Sequence, residues 1–341
     1  MRLPASGALI ALAVACTAPA TAPEEATLRA IDRGLGCVAR HYDGRSFRDD
    51  YLEFVYADEA IASPRPGETI TYRILDAYFI VLMIRQAGVS PGEAGALFER
   101  AESTTADLVP AWRRAGIYNL RRHPVAGGIA LDTYAILAVL RRDAVMGGVV
   151  AAGLDGDGWL PADFYRGEEA FRRLADESWA ARALRIADPA RGAAVVRATG
   201  RQALEAERIE PDPLARANLV IHALEALGDP PAAAAAEDDT AASEDAALVR
   251  RLRDEGLRLV RMPEIRRDTL TFANLVGALQ ATTGVPDRTA RADLEELRGR
   301  QDDEGCWSAS VDPSDRSGRI FTTLRVVLAL GRSLSAQVAR R

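Results

Sequence analysis

Lysine is absent from this sequence, so all 43 basic residues are arginines. The absence excludes Schiff-base catalysis, a lysine general base and a P-loop, because each needs a lysine amine. The excess of arginine does not by itself indicate phosphate recognition, since biased codon usage produces the same excess. With 49 acidic residues the formal net charge is −6, and this acidic balance argues against a nucleic-acid partner, which favours a basic face.

Long hydrophobic runs are also absent. The apolar run from Ala8 to Ala15 is far shorter than the roughly 20 residues that a membrane-spanning helix needs, and no later run approaches that length. Arg2 precedes this run, and the small residues Ala20-Thr21-Ala22 follow it at signal-peptidase spacing. Residues 1–22 are therefore predicted to be a signal peptide, and the mature chain to be periplasmic or secreted.

The same segment allows a second interpretation. Ala13-Val14-Ala15-Cys16 resembles a lipoprotein cleavage box, which would leave Cys16 acylated and the mature protein anchored to a membrane surface. The sequence leaves both alternatives open. In either case an extracytoplasmic location is predicted.

Two pairs of similar segments show an internal repeat. Leu75–Arg85 aligns with Leu131–Arg141 at an offset of 56 (132 minus 76), and the segment from Ala217 aligns with that from Ala273 at the same offset (274 minus 218). Similar apolar helical runs begin near Glu177 and Thr323. Hydrophobic residues form 48% of the chain, which is enough for a sizeable core. Six apolar helices are therefore predicted.

A more polar helical stretch precedes each apolar helix, at about 25–42, 91–115, 141–152, 189–208, 243–261 and 287–301. Apolar helices must be buried between neighbours, whereas helices with a charged stripe can face water. The alternation predicts an all-α (α/α)6 toroid of about six hairpins, with an inner ring of helices inside an outer ring. Residues 23–341 are predicted to form this single domain.

Local signals support the predicted helix boundaries. Thr71, Asp212 and Asp268 stand where N-caps are expected, and Pro213 follows Asp212 at the first helical position. The alanine-rich and acidic segment 230–247 has no aromatic or β-branched apolar residue. It is predicted to be a mobile insertion between hairpins.

Residues Leu297 to Trp307, LRGRQDDEGCW, fit the spacing Leu-x3-Gln-x3-Gly-x-Trp. The segment resembles the QW motif of the squalene-cyclase and protein-prenyltransferase superfamily, which has the α/α toroid fold. The resemblance implies that Gln301 joins an outer helix to the start of the next inner helix, and that Trp307 packs over this joint. It does not extend to the chemistry, because the Asp-x-Asp-Asp acid of the cyclases is absent.

Equivalent positions on the six predicted inner helices are all polar. They are Asp76, Asp132, Glu177, Asn218, Asn274 and Thr323. At least three of them lie too far beyond the expected caps to be capping residues. Because unpaired carboxylates are costly among apolar neighbours, these groups are predicted either to pair with arginines such as Arg182 or to line a wet cavity.

Three classes of function fit this cavity. A non-catalytic toroid that binds a small molecule, an oligosaccharide, a lipid or a partner protein is slightly favoured. The alternative is a glycoside hydrolase or polysaccharide lyase with Asp76 and Asp132, and in addition Glu177, as catalytic carboxylates. The third class, isoprenoid chemistry, rests on the QW-like segment and on the Asp-Asp-x-x-Glu pattern at 49–53. The remaining candidate ligand-binding residues are Tyr72, Tyr78, Tyr134, Trp179, Asn218 and Asn274.

Neither a cofactor nor a metal site is predicted, because the histidines His41, His123 and His222 are scattered along the chain. His222, within LVIHALEAL, is interpreted as a satisfied helix histidine, and the loop that begins at Asp155 as a turn. The long connection 43–67 is predicted to be a lid.

Cysteine is scarce as well as lysine. Only Cys37 and Cys306 follow the predicted signal region. Cys37 lies in the first predicted outer helix and Cys306 just after the last, so closure of the ring would make them neighbours. An exported chain with this even count is predicted to form one disulfide.

Overall fold

The computed structural model describes residues 22–42, 80, 84, 95–104, 117–118, 129–130, 135, 138–139, 142–158, 170–205, 212–228, 239–283, 288–312 and 318–338. The longer helices are α1 (Ala22–His41), α2 (Ala144–Ala152), α3 (Ala170–Ala187), α4 (Pro189–Glu205), α5 (Pro213–Gly228), α6 (Asp239–Leu259), α8 (Thr269–Thr283), α9 (Arg288–Gly299) and α10 (Arg319–Val338). A short helix, α7 (Pro263–Arg267), precedes α8, and residues 95–104 are also helical. This content confirms the all-α class.

Two short strands accompany the helices. β1 (Ile117–Tyr118) pairs in parallel with β2 (Ile129–Ala130), with Ile117 opposite Ile129. Within the described part of the chain, no helix is long and apolar enough to cross a membrane.

The helices from α3 onward pack in two layers. Helices α3, α5, α8 and α10 contact one another in that order, and each is one of the predicted inner helices. The more polar helices pack outside them: α4 contacts α3 and α5, α6 contacts α5 and α8, and α9 contacts α8 and α10. The alternation of apolar and polar helices in the sequence therefore corresponds to a row of neighbouring apolar helices, each contacted by at least one more polar helix.

The difference between the layers follows from their side chains. In α5, buried residues occur around most of the helix, among them Leu219, Val220, Ala223 and Leu224. In α9, charged side chains cover one face, and Leu294 and Leu297 are buried on the other. A helix of the first kind needs neighbours on several sides, whereas the second kind needs only one.

The first and the last described helices meet. Helix α1 packs against α10, and a disulfide joins Cys37 to Cys306 across a Cα–Cα distance of 5.6 Å. The predicted disulfide is thus confirmed. The Gln301 side-chain amide donates hydrogen bonds to the carbonyl of Ala30 in α1 at 2.8 Å and to that of Gly305 at 2.9 Å.

Trp307 connects the outer and inner layers beside this disulfide. Its side chain is fully buried, and its indole nitrogen donates to the Leu297 carbonyl of α9 at 2.6 Å. Its backbone amide donates to Oγ1 of Thr323 in α10 at 2.9 Å. Trp307 therefore lies over the joint between α9 and α10, whereas among the described residues Gln301 bonds to Ala30 of α1 and to Gly305 rather than to the start of α10.

Local signals for helix boundaries agree with the structure. The Asp212 carboxylate accepts a hydrogen bond from the Leu214 amide at 3.1 Å, and the Asp268 carboxylate accepts one from the Thr271 amide at 2.6 Å. The predicted insertion 230–247 needs correction, because α6 begins at Asp239. Alanine and glutamate favour a helix, and the rest of the predicted insertion, 230–238, lies outside the described residues.

Candidate ligand-binding site on the inner helices

Several predicted site residues lie outside the part of the chain that the structure describes. These are Asp76, Asp132, Tyr72, Tyr78 and Tyr134, together with the cap Thr71, His123 and the lid 43–67. Glu177 lies on α3, but its side chain is not among those described. The proposed pairing of catalytic carboxylates therefore stays a prediction.

Thr323 belongs to the packing between α9 and α10. Its hydroxyl accepts from the Trp307 amide and donates to the Arg319 carbonyl at 2.8 Å, and the residue is fully buried. A hydroxyl that is already engaged on both sides is unsuited to line a wet cavity. The prediction that Thr323 shares the ring of polar cavity residues is therefore corrected.

Trp179 is buried, with 7% of its surface exposed, and the guanidinium carbon of Arg182 lies 4.2 Å from the centroid of its ring. This cation–π contact occupies one face of the indole. One ring face of Trp179 thus contacts Arg182, and the predicted role of Trp179 in ligand binding stays a prediction.

The inner helices bring together a group of polar side chains, which we call the inner polar cluster: Arg182 of α3, His222 and Glu225 of α5, and Arg325 of α10. Glu225 lies between the two guanidinium groups. Its Oε2 is 3.7 Å from Nη1 of Arg182, and its Oε1 is 3.7 Å from Nη1 of Arg325. These contacts are ion pairs, since 3.7 Å is too long for a hydrogen bond.

Helical spacing places the members of the cluster. On α5, Asn218, His222 and Glu225 follow one another at intervals of four and three residues, so they share one face of the helix. On α3, the Ser178 hydroxyl donates to the His222 carbonyl at 3.1 Å, and Arg185 donates to the Ala226 carbonyl at 3.2 Å. These two bonds fix α3 against α5 on either side of Arg182.

Electrostatics keep Glu225 ionised. Burial alone would raise the pKa of Glu225, but the nearby charges of Arg325, Arg182 and Arg332 lower it below its ordinary value. Arg332, two turns beyond Arg325 on α10, donates to the Gly277 carbonyl of α8 at 3.1 Å. The carboxylate therefore stays charged near neutral pH.

His222, in contrast to Glu225, is kept in its neutral form. Desolvation by the surrounding protein lowers its pKa from 6.5 to about 4; the charge of Glu225 raises it, and those of Arg325 and Arg182 lower it further. The imidazole is therefore neutral near pH 7. Its Nδ1 is buried and has no hydrogen-bond partner among the described residues. The interpretation of His222 as a satisfied helix histidine is wrong in this respect.

Asn274, like His222, has a buried polar atom without a hydrogen-bond partner among the described residues. Its side-chain oxygen Oδ1 is buried without a hydrogen-bond partner in the described part of the chain, although the residue as a whole is half-buried. Asn218, at the equivalent position on α5, is also half-buried. Buried polar atoms are nearly always hydrogen-bonded, so an exception calls for a partner such as water or a ligand.

This arrangement is better suited to binding than to proton transfer. General acid–base catalysis needs a group whose pKa lies near the working pH. His222 has a pKa of about 4, and the pKa of Glu225 is lowered, so near neutral pH neither group exchanges protons readily. Both can instead form hydrogen bonds of fixed direction with a polar molecule.

The sequence carried a signal for this cluster that its interpretation missed. The row Asn218, His222 and Glu225 interrupts an apolar helix at helical spacing, and Arg182 and Arg325 interrupt two further apolar helices. From the sequence, His222 was interpreted as a satisfied histidine and Arg182 as an ion-pair partner of the polar ring, whereas Glu225 and Arg325 were not predicted to take part. Only the packing of α3, α5 and α10 shows that the charges meet.

A second group of residues meets beside the disulfide. One ligand atom each of Cys37, His41 and Cys306 lies within 4.8 Å of the other two. Cys37 and His41 are four residues apart on α1, so one helical turn aligns them. This group was not predicted, because the histidines are scattered in the sequence and 265 positions (306 minus 41) separate His41 from Cys306.

No protein-family model matches this chain, and no curated protein is significantly similar to it.

Proposed function

We propose that this protein is an extracytoplasmic α/α toroid that binds a hydroxyl-rich ligand, of the oligosaccharide class, on its inner helices without transforming it. The observation that carries the proposal is the inner polar cluster. It places ionised and neutral polar groups among helices that are otherwise apolar, and buried atoms of His222 and Asn274 lack hydrogen-bond partners in the described chain.

The cluster favours a ligand that donates hydrogen bonds. The Glu225 carboxylate accepts no hydrogen bond from the described residues, since its contacts with Arg182 and Arg325 are ion pairs of 3.7 Å. The Asn274 Oδ1 atom is also an acceptor. Hydroxyl groups both donate and accept, so a saccharide can satisfy a carboxylate, an amide oxygen and an imidazole together. An isoprenoid chain would leave all three unsatisfied and remove them from water, which is unfavourable.

The same groups favour binding over catalysis. A glycosidase needs one protonated and one ionised carboxyl at the scissile bond. In the inner polar cluster, Glu225 is held ionised by arginines and His222 is neutral, so neither supplies the acid. Catalysis by Asp76 and Asp132 stays a separate hypothesis, since both lie outside the described residues.

Three features support the toroid and the location. Four inner helices pack in sequence order inside more polar helices, and α1 meets α10 at the other end of the chain. The disulfide between Cys37 and Cys306 fits an oxidising, extracytoplasmic compartment. The hydrogen bonds of Trp307 to the Leu297 carbonyl and the Thr323 hydroxyl join α9 to α10, which supports the hairpin arrangement of a toroid.

The test measures the thermal stability of the full-length chain with neutral oligosaccharides, acidic oligosaccharides and farnesol. We expect an oligosaccharide to raise the melting temperature, because a ligand that binds only the folded state stabilises it by mass action. Asn274→Ala is expected to fold and to lose this shift. Gln202→Ala, which removes an amide from the exposed face of α4, is the matched control and should retain it.

Two results would contradict the proposal. A shift with farnesol alone would assign the inner helices to a lipid. The appearance of new reducing ends or unsaturated products during incubation would show that the protein is a carbohydrate-cleaving enzyme.

A further inference from the structure

We propose that the dithiol form of this protein binds one Zn²⁺ ion through Cys37, His41 and Cys306, and that the disulfide and the metal exclude each other. The site lies between α1 and the loop after α9. It is separate from the inner polar cluster and independent of the function proposed above.

The ligand atoms are already close to the geometry that zinc needs. In tetrahedral sites, Zn–S bonds of about 2.3 Å and Zn–N bonds of about 2.0–2.1 Å place the ligand atoms roughly 3.5–3.8 Å apart. Here one atom of each side chain lies within 4.8 Å of the other two. The Cα–Cα distance of 5.6 Å between the cysteines allows their sulfurs to separate by side-chain rotation once the S–S bond is open.

The backbone around the site is held without the disulfide. Cys37 and His41 lie on α1, which packs against α10. The loop that carries Cys306 is fixed by its own bonds: the Cys306 amide donates to the Asp302 carboxylate at 2.8 Å, and Gln301 donates to the Ala30 carbonyl of α1. The three ligands therefore stay together when the sulfurs are reduced.

The dithiol form can either bind zinc or be oxidised to the disulfide. A newly synthesised chain carries two thiols, and zinc binding releases their two protons as the thiolates coordinate the metal. Oxidation of the metal-free dithiol removes two electrons and two protons and forms the S–S bond. In the folded protein, a phosphine reductant supplies the two electrons that reverse this step. Both cysteines are fully buried and His41 is half-buried, so a water molecule is the expected fourth ligand on the side of His41.

The experiment compares zinc binding by the oxidised and the phosphine-reduced full-length protein under anaerobic equilibrium dialysis, with helical content followed by circular dichroism. We expect about one zinc per reduced chain and none per oxidised chain. In the reduced form, His41→Ala is expected to weaken zinc binding at least about tenfold, since even the loss of an outer-shell partner costs that much. Arg29→Ala, which shortens an exposed side chain of α1 outside the three ligands, is the matched control and should bind zinc as the wild type does.

Cobalt provides a second measurement. Co²⁺ in the reduced protein should give a sulfur-to-metal charge-transfer band that His41→Ala alters and oxidation abolishes. The proposal is overturned if reduced protein binds no zinc, if His41→Ala binds it as tightly as the wild type, or if oxidised protein binds it equally. Loss of helical structure on reduction would also overturn it, because the site requires α1 and the Cys306 loop to remain together.

Discussion

Glu225 is the residue through which three inner helices interact electrostatically. It contributes one carboxylate to ion pairs with Arg182 of α3 and Arg325 of α10, and all three side chains are largely buried. A buried ion pair of this kind contributes little net stability, because desolvation offsets the attraction between the charges. Removal of one partner is different, since it leaves buried charges without compensation.

Glu225→Gln is therefore expected to reduce the free energy of unfolding by about 3–5 kcal/mol, because it leaves two buried guanidinium groups without their carboxylate. The measurement is urea unfolding at pH 7. The control is Glu25→Gln, which breaks an exposed pair with Arg29 and should change stability by roughly 0.5 kcal/mol or less. Equal effects of the two substitutions would contradict the buried cluster.

The lowered pKa of His222 is expected to make the stability of the protein depend on pH. Its pKa is about 4 in the folded protein and 6.5 in the unfolded chain, because the folded environment desolvates it. Between these values the unfolded chain binds a proton that the folded protein does not, so stability rises with pH through this window. The contribution of His222 is complete above about pH 6.5 and is lost as the pH falls to about 4, a difference of about 3 kcal/mol.

Chemical unfolding of the wild type and of His222→Gln between pH 4 and pH 7.5 tests this dependence. The variant should lose less stability than the wild type as the pH falls from 6.5 to 4. The lowered pKa of Glu225 adds a further loss in both proteins, since its contribution is present above the unfolded pKa and disappears in stronger acid. If the free energy of unfolding changed with pH in the same way in the two proteins, His222 would not be desolvated.

At the scale of elements, the corner between α3 and α4 determines how an inner helix meets its outer neighbour. Helix α3 ends at Ala187 and α4 begins at Pro189, with Asp188 alone between them. The Asp188 carboxylate accepts from the Arg191 amide at 3.1 Å and so caps α4. A Cβ atom at Gly192 would lie 2.2 Å from Cα of Arg185, so the close approach of the two helices requires glycine there.

Two glycine substitutions with opposite expected effects test this corner. Gly192→Ala is expected to cost about 1–3 kcal/mol or more, because the backbone of α3 must move away. Gly148→Ala in α2 should instead stabilise the protein by about 0.5–1 kcal/mol, since nothing lies within 4 Å of its Cβ position and alanine favours a helix. The melting temperature of each variant, compared with that of the wild type, shows whether the substitution stabilises or destabilises the protein. Stabilisation by both substitutions would contradict the close approach of α3 and α4 at Gly192.

At the scale of the whole molecule, the N-terminal helix closes against the C-terminal one. Helix α1 packs on α10, the disulfide covalently joins α1 to the loop after α9, and Arg33 of α1 donates to the Asp302 carbonyl at 2.7 Å. These contacts span sequence separations near 269 residues. Closing so long a loop carries an entropic cost that the contacts must offset.

The disulfide is expected to contribute up to about 5 kcal/mol, because a loop of 269 residues loses much of its freedom in the cross-linked unfolded chain. Urea unfolding of the oxidised wild type and of the Cys37→Ala, Cys306→Ala double variant measures this contribution. The variant should keep its helical content, since α1 and α10 still pack together. Titratable thiols in the oxidised, denatured wild type would contradict the bridge.

Particular residues show how far the sequence could predict this structure. The caps Asp212 and Asp268 were predictable because capping depends on neighbouring residues. The turn at Asp155 was predictable for the same reason: the Asp155 carboxylate accepts from the Asp157 amide at 3.0 Å, and Gly158 has a φ of 91°. The contacts of Glu225 with Arg182 and Arg325 were not predictable, because helical periodicity gives the face of each residue but not the partner that faces it.

The sequence by itself determined the helical class, the alternation of apolar and polar helices and the pairing of Cys37 with Cys306, since composition, periodicity and an even cysteine count carry this information. Only the tertiary structure decided that Arg182, His222, Glu225 and Arg325 form one cluster and that His41 lies beside the disulfide. The physical reason is that ion pairing and desolvation depend on distances of a few ångströms between residues far apart in the chain. Those distances are set when the helices pack.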